Sequence, residues 1–363
     1  MSGPIRVLVV DDSALVRRML GQVLAADRRF ELVGFARDGA EAIERSIEVR
    51  PDVITLDQMM PRMTGLEALP ELQRRTDARV VMLSAVDDPD TAYTALELGA
   101  VEFIAKPRDA QGAGSAAFAD ALYPALETAF RVAPGRRDAS ISAARAATRR
   151  VEKRGSEDDH VLGAPETCRV LRAVVGFAAS TGGPPALEAV FSGLSAADDS
   201  AYLVVQHLPD GFAASLARRL GGVTDIRCIE AVDGMPLECG VAYIAPHGAH
   251  MVVTAAREPR VRLQAGAPRH GLMPAGDPLF ESMARALGGR AVGVVLTGMG
   301  VDGAVGLAAL RAAGAYTVVQ DEATSIVWGM PGAAVRDGGA ARVLPLGEIA
   351  ADVRRALARV VNP

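Results

Sequence analysis

Short, nearly continuous apolar runs alternate along the chain with longer segments of helical spacing. Over residues 5–105 the runs are IRVLVV, FELVGFA, DVITL, RVVML and VEFIA. Each is short and rich in β-branched residues, the pattern of strands buried on both faces of a parallel sheet. The segments between them, such as SALVRRMLGQVLAAD and GAEAIERSIEVR, repeat apolar residues at helical steps. The alternation predicts a five-stranded, doubly wound parallel sheet in a first domain, residues 1–132.

The texture changes over residues 133–169, where PGRRDASISAARAATRRVEKRGSEDDH has no sustained apolar face. It carries a basic block (Arg136, Arg137, Arg145, Arg149, Arg150, Lys153, Arg154) and then an acidic one (Glu157, Asp158, Asp159). This reads as a solvated linker, with a basic binding segment as the alternative. From residue 170 to 363 the alternation resumes, with runs RVLRAVVGFAA, AYLVVQ, VAYIA, HMVVT, RVRLQ, AVGVVLT and AYTVVQ. The middle runs lie close together. They predict a mostly parallel, doubly wound α/β domain with an antiparallel hairpin inserted in its sheet.

Composition narrows the class. Half of the 363 residues are hydrophobic but only 4% are aromatic, so aliphatic side chains do most of the packing. A net charge of −5 argues against a nucleic-acid partner. MSGPIRVLVV meets polar DDS too early for a secretory signal, and no apolar run approaches the length of a membrane span. The reading is a cytoplasmic protein. Cys168, Cys228 and Cys239 are widely spaced and fit neither a disulfide framework nor a zinc site, so they are expected to be apolar fillers.

In the first domain, polar residues stand where strands end. Asp11 and Asp12 follow the first run, Asp57 the third, Ser84 the fourth and Lys106 the fifth. Open parallel sheets place their chemistry at the carboxyl ends of strands. Three converging carboxylates repel unless a hard cation joins them, and an all-oxygen set suits Mg²⁺. A carboxylate can attack phosphorus to give an aspartyl phosphate, and Lys106 can pair with the phosphoryl group. Taken singly, the paired aspartates also fit a helix N-cap and Lys106-Pro107 a turn; a cis bond there would tighten it.

The joint pattern resembles the flavodoxin-like receiver domain of two-component response regulators. The resemblance implies Asp57 as phosphoacceptor, Asp11, Asp12 and Asp57 around Mg²⁺, and Ser84, Phe103 and Lys106 as the switch residues. In that family the carbonyl at the position of Met59 also touches the metal. Gln58 and Met59 depart from the common pair after the aspartate, which bears on dephosphorylation rate or partner choice.

In the second domain, VVGFAASTGGPPALEAVFSGL reads as strand, tight turn, helix, with Ser180 at the turn. A serine there fits a helix N-cap, or a nucleophile at a strand–helix junction. A nucleophilic serine needs a base and an orienter. Of the five histidines, His207 ends the run AYLVVQ, where a base or a structural histidine would equally sit. Asp302 follows AVGVVLT. Its loop, LTGMGVDGAVGL, also spells G-x-G-x-x-G through Gly298, Gly300 and Gly303, a dinucleotide fingerprint on paper.

The segments ASTGGPPAL, VVQHLPDGFAASLARRL, VAYIAPHGAHM, PAGDPLFESMA, VLTGMGVDGAVGL and QDEATSIVWGMPGAA together resemble the catalytic domain of the CheB chemotaxis methylesterases. The resemblance runs from about 172 to 358. It implies that Ser180 attacks a receptor glutamate methyl ester, with His207 as base and Asp302 as orienter. It implies an oxyanion hole from the amide of Met299 and one near Thr181. Methanol is the product, and glutamine deamidation a companion reaction; the esterase needs no cofactor. It further implies methyl-accepting chemoreceptors as substrates and as the only link to a membrane. A chemotaxis histidine kinase would be the phosphodonor, acting on a monomer. In the family, an unphosphorylated receiver blocks the hydrolase and phosphorylation loosens the block.

Ala178, Ala213 and Trp328 depart from the family's usual residues and bear on substrate fit. Rival readings are a dehydrogenase using the 296–307 loop, a DNA-binding regulator, and a scaffold without activity. The first needs a loop free of acid and the second a basic face. Intact Ser180, His207 and Asp302 argue against the third.

Overall fold

A computed structural model of the protein describes residues 3–84, 89–106, 113–132, 171–255 and 258–361. The chain forms two compact units, residues 1–137 and 138–363. The expected linker of residues 133–169 lies outside the described residues. Among the described residues, no helix is long and apolar enough to cross a membrane.

The first unit is the predicted parallel sheet. Its strands are β1 (Ile5–Val10), β2 (Phe30–Ala36), β3 (Val53–Asp57), β4 (Arg79–Ser84) and β5 (Glu102–Ala105), in the order β2-β1-β3-β4-β5. The order reverses at β1/β3, so the ends of those strands border the crevice where ligands gather. β1 and β3 are buried almost throughout, whereas β2 is an edge strand with a largely half-exposed face. The expectation of burial on both faces therefore fails at β2. The helices are α1 (Ala14–Ala25), α2 (Gly39–Val49), α3 (Gly65–Arg75), α4 (Pro89–Glu97) and α5 (Ala113–Arg131). Ser13 caps α1 through its side chain, Asp38 caps α2, and Thr64 with Glu67 forms a reciprocal capping box on α3.

The second unit holds a seven-stranded sheet in the order β14-β13-β12-β6-β7-β9-β8. Its strands are β6 (Ala173–Ala179), β7 (Ser200–Gln206), β8 (Arg227–Glu230), β9 (Val241–Ile244), β12 (Ala291–Val295), β13 (Tyr316–Gln320) and β14 (Arg342–Leu344). Every pairing in it is parallel. The antiparallel hairpin exists, but β10 (His250–Val253) and β11 (Val261–Gln264) form a separate two-stranded sheet. It is not inserted in the main one, as the sequence suggested. The helices are α6 (Gly183–Phe191), α7 (Ala213–Gly221), α8 (Gly276–Leu287), α9 (Ala304–Ala312), α10 (Met330–Arg336) and α11 (Leu346–Val361).

The central strands β6, β7 and β12 are buried at every position. Phe177, Phe191 and Tyr202 stack in a tilted row with ring centroids 5.4 and 5.9 Å apart. On the other face, Phe280 and Met283 of α8 pack against Gly176, where a Cβ would lie 2.6 Å from Met283 Sδ. The chain leaves β6 toward β7 on one side and returns to β12 on the other. The switch point is thus β6/β12, and the crevice lies at their carboxyl ends. Cys228 is free, with its thiol pushed up to about 12 by burial, while Cys239 is disulfide-bonded. The expectation of mostly apolar fillers therefore fails at Cys239, and Cys168 lies outside the described residues.

Candidate active sites of the two units

In the first unit the strand-end carboxylates converge. Asp11, Asp12 and Asp57 offer oxygens within 4.8 Å of one another. Lys106 Nζ lies 2.7 Å from Asp57 Oδ1 and 2.8 Å from Asp11 Oδ2. Asp57 is 4% exposed, and burial pushes its carboxyl above the usual carboxylate range. Lys106 opposes that push and Asp11 adds to it. The Met59 amide reaches Asp57 Oδ1 only at 3.4 Å.

The N-cap reading of the aspartate pair fails, because Ser13 is the cap and Asp11 Oδ1 accepts the Ser13 amide at 2.9 Å. Among the described residues, the buried Asp11 Oδ2 has no hydrogen-bond partner, and only the Lys106 ammonium stands beside it at 2.8 Å. An all-oxygen trio with such an atom fits a hard divalent cation. Phe103 is buried and packs edge-on against Tyr93, centroids 6.5 Å apart. Ser84 closes β4, but its side chain lies outside the described residues, as does the expected cis bond at Pro107.

In the second unit, Ser180 follows β6, His207 follows β7 and Asp302 lies in the turn after β12. His207 Nε2 and Asp302 Oδ2 are 2.8 Å apart; the Asp302 side chain is fully buried and that of His207 is 9% exposed. Asp302 Oδ2 also accepts the Gly276 amide at 2.6 Å, and Oδ1 the Asp277 amide at 3.1 Å. Burial alone would raise the Asp302 carboxyl. The His207 hydrogen bond and charge, with the two amides, outweigh that and hold it below its ordinary value. Ser180 Oγ makes no hydrogen bond to His207 among the described residues.

The Ser180 turn is clamped through its main chain. Ser180 N donates to Thr297 O at 3.1 Å, and Gly183 N to Ser180 O at 2.7 Å. Gln206, the last residue of β7, is 2% exposed; its Nε2 donates to Ser180 O at 2.9 Å and to His207 O at 3.2 Å. One buried amide thus ties the serine turn to the histidine turn. On the other side, Thr297 Oγ1 donates to Thr181 O at 3.0 Å, and Thr297 N to Gln320 Oε1 at 2.8 Å. Trp328 Nε1 donates to Gln320 O at 3.0 Å, and Trp328 bridges to Gly298.

The N-cap reading of Ser180 also fails: Gly182 caps α6 without a side-chain bond, and Pro184 follows in the first turn. The glycine-rich loop has a different logic from nucleotide binding. A Cβ on Gly298 would lie 2.8 Å from Ser180 Cβ and 2.4 Å from Met330 Sδ, so only glycine allows this approach. Gly303 caps α9 at φ +82, a left-handed conformation that glycine adopts freely. Asp302 is 1% exposed and filled with donors, so its acid faces His207 rather than a pyrophosphate. Met299 is half-buried on this loop, and Thr181 is buried beside Ser180.

Sequence reasoning missed Gln206, Thr297, Gln320 and the Gly276-Asp277 amides. Gln206 and Gln320 carried a faint signal, as polar residues closing otherwise apolar strands.

The CheB methylesterase family model matches residues 175–353, and the response regulator receiver domain model residues 7–113. A Symbiobacterium thermophilum protein named protein-glutamate methylesterase/protein-glutamine glutaminase is 40% identical over 356 residues, spanning 98% of this chain and 97% of the relative. A Pyrococcus horikoshii protein of the same name is 40% identical over 360 residues, spanning 98% and 95%. The solved catalytic domain of Thermotoga maritima CheB methylesterase is 32% identical, covering 50% of this chain and 97% of that one, with a TM-score of 0.49.

Proposed function

The chain belongs to the CheB methylesterase family, and on that premise we propose that it hydrolyses glutamyl methyl esters on chemoreceptors and deamidates receptor glutamines. Ser180 Oγ attacks the ester carbonyl while His207 takes its proton. Since Asp302 holds Nε2, the nitrogen that serves Ser180 is Nδ1. Collapse of the tetrahedral intermediate expels the methoxy group, protonated by His207 as methanol, and leaves an acyl-serine. His207 then deprotonates water, whose attack frees the glutamate and restores Ser180. Asp302 fixes the ring and stabilises the imidazolium without itself taking the proton. Amides of Met299 and Thr181 receive the oxyanion, each such donor being worth about 2.7–4 kcal/mol. Deamidation follows the same steps, with ammonia leaving.

The observation that carries this reading is the buried 2.8 Å His207–Asp302 bond at the switch point that also presents Ser180. In the receiver unit, a chemotaxis histidine kinase donates phosphate to Asp57. Mg²⁺ held by Asp11, Asp12 and Asp57 would neutralise the transferring charge. Lys106 binds the phosphoryl oxygens, and Ser84 and Phe103 change state with them. Phosphorylation raises hydrolase activity. The protein works as a cytoplasmic monomer and reaches the membrane only through its receptors. Methanol release from methylated receptors, with and without acetyl phosphate, tests both halves. S180A abolishes release, and D57A gives a low rate that acetyl phosphate does not raise. Undiminished release by S180A would sink the assignment.

A further inference from the structure

A second histidine–aspartate pair stands against the first. Asp277, in the first turn of α8, is fully buried. Its Oδ2 lies 2.9 Å from His270 Nε2, and its Oδ1 accepts the Gly306 amide at 2.7 Å. Its main-chain N–H is one of the donors on Asp302. His270, Asp277 and Asp302 offer side-chain atoms within 4.8 Å of one another. Two buried carboxylates thus stand side by side, with the more exposed His270 closing the group. Like charges so placed cannot both stay ionised without compensation; one takes up a proton. His207 answers Asp302. An ionised carboxylate only accepts hydrogen bonds, so the nitrogen facing Asp277 is a donor.

Three other charged or titratable side chains from the segments around α8 bond elsewhere. Arg269, beside His270, pairs with Glu281 of α8 at 2.7 Å. His250 of β10 bonds the Ala267 carbonyl at 3.2 Å, and Arg311 of α9 bonds the carbonyls of Gly338 and Ala340. His270 is therefore the side chain that answers Asp277.

We propose that His270 and Asp277 are positioning residues of the hydrolytic centre: His270 compensates the buried Asp277 carboxylate, so that Asp302 stays ionised while an Asp277 amide holds it in place. The inference rests on the reading of Asp302 as orienter of His207. Without His270, the Asp277 charge raises the proton affinity of the carboxylate pair. The Asp302–His207 pair then keeps its extra proton to a higher pH, and His207 cannot act as base there. Removing the Asp277 charge as well should undo the effect.

The test is the pH profile of kcat/KM for methanol release by the full-length protein, comparing wild type, H270A, H270A/D277N and S180A. The acid limb of H270A should move up by about one pH unit, roughly a tenfold loss on that limb, with recovery at alkaline pH. The double variant should return the limb to its wild-type position. If H270A does not fold, H270Q is read in its place, with an upward shift of the same sign. An even loss at every pH, or a double variant no better than the single, overturns the proposal. Residual activity in S180A would instead overturn the reading of the hydrolytic centre on which it rests.

Discussion

Asp57 and Asp302 are nearly the same object in different surroundings. Each is a buried carboxylate at the carboxyl end of a parallel sheet, beside the point where strand order reverses. Yet their proton affinities move in opposite directions. Asp302 receives an imidazole and two amides, so its charge is satisfied before any substrate arrives. Asp57 receives one long amide contact and shares a single ammonium with Asp11. Its charge is left wanting. A carboxylate of the first kind orients a partner; one of the second kind has reason to take a cation and an electrophile. Environment, rather than residue type, divides the roles.

The sharpest way to break this contrast is D302N. If Asp302 sets the imidazole's state, kcat should fall about 10⁴-fold with the fold intact, measured as methanol release beside a circular dichroism spectrum. A loss near tenfold would make Asp302 a bystander. Next comes Q206A, which cuts the tie between the Ser180 and His207 turns. A misplacement of this order should cost about 100-fold in kcat, with KM little changed. On the receiver side, Mg²⁺ at about 100 times its Kd should stabilise the folded unit by roughly 2.7 kcal/mol. D11N should remove that Mg²⁺-dependent rise in melting temperature, and D302N should leave it in place.

The smallest effect is on stability against pH, and its sign differs between the two residues. Asp302 is held below its ordinary value of 3.8, so it adds stability above that pH and loses it as pH falls through the folded value. Asp57 is raised above 3.8, so it favours folding below that pH and opposes it as pH rises through the folded value. Urea midpoints followed across pH should therefore show D302N losing stability relative to wild type above pH ~4, and D57N gaining it towards neutrality. Shifts of the same sign in both variants would erase the distinction.

Much of this was legible in the sequence because buried parallel strands write themselves as apolar runs. The residues that end those runs, Asp11, Asp57, Ser180 and His207, inherit their positions from them. Two strands escaped. β8 reads RCIE and β14 reads RVL; both are sheet edges with largely solvated faces, so neither forms an apolar run. The hairpin's independence escaped for another reason: strand partners are chosen by tertiary contacts that no local pattern encodes. The support of Asp302 was hidden as well. Its donors Gly276 and Asp277 act through main-chain N–H groups, which carry no side-chain signature. Asp277 reads in isolation as an ordinary acid at the start of a helix.

Trp328 has a use beyond its bond to Gln320. It is the only tryptophan of the chain, and it bridges to Gly298, which touches Ser180. Emission excited selectively at the indole therefore comes from one place, the loop beside Ser180. The proposed acylation of Ser180, and the proposed effects of receptor binding and of phosphorylation on this loop, are therefore open to fluorescence without attaching a label.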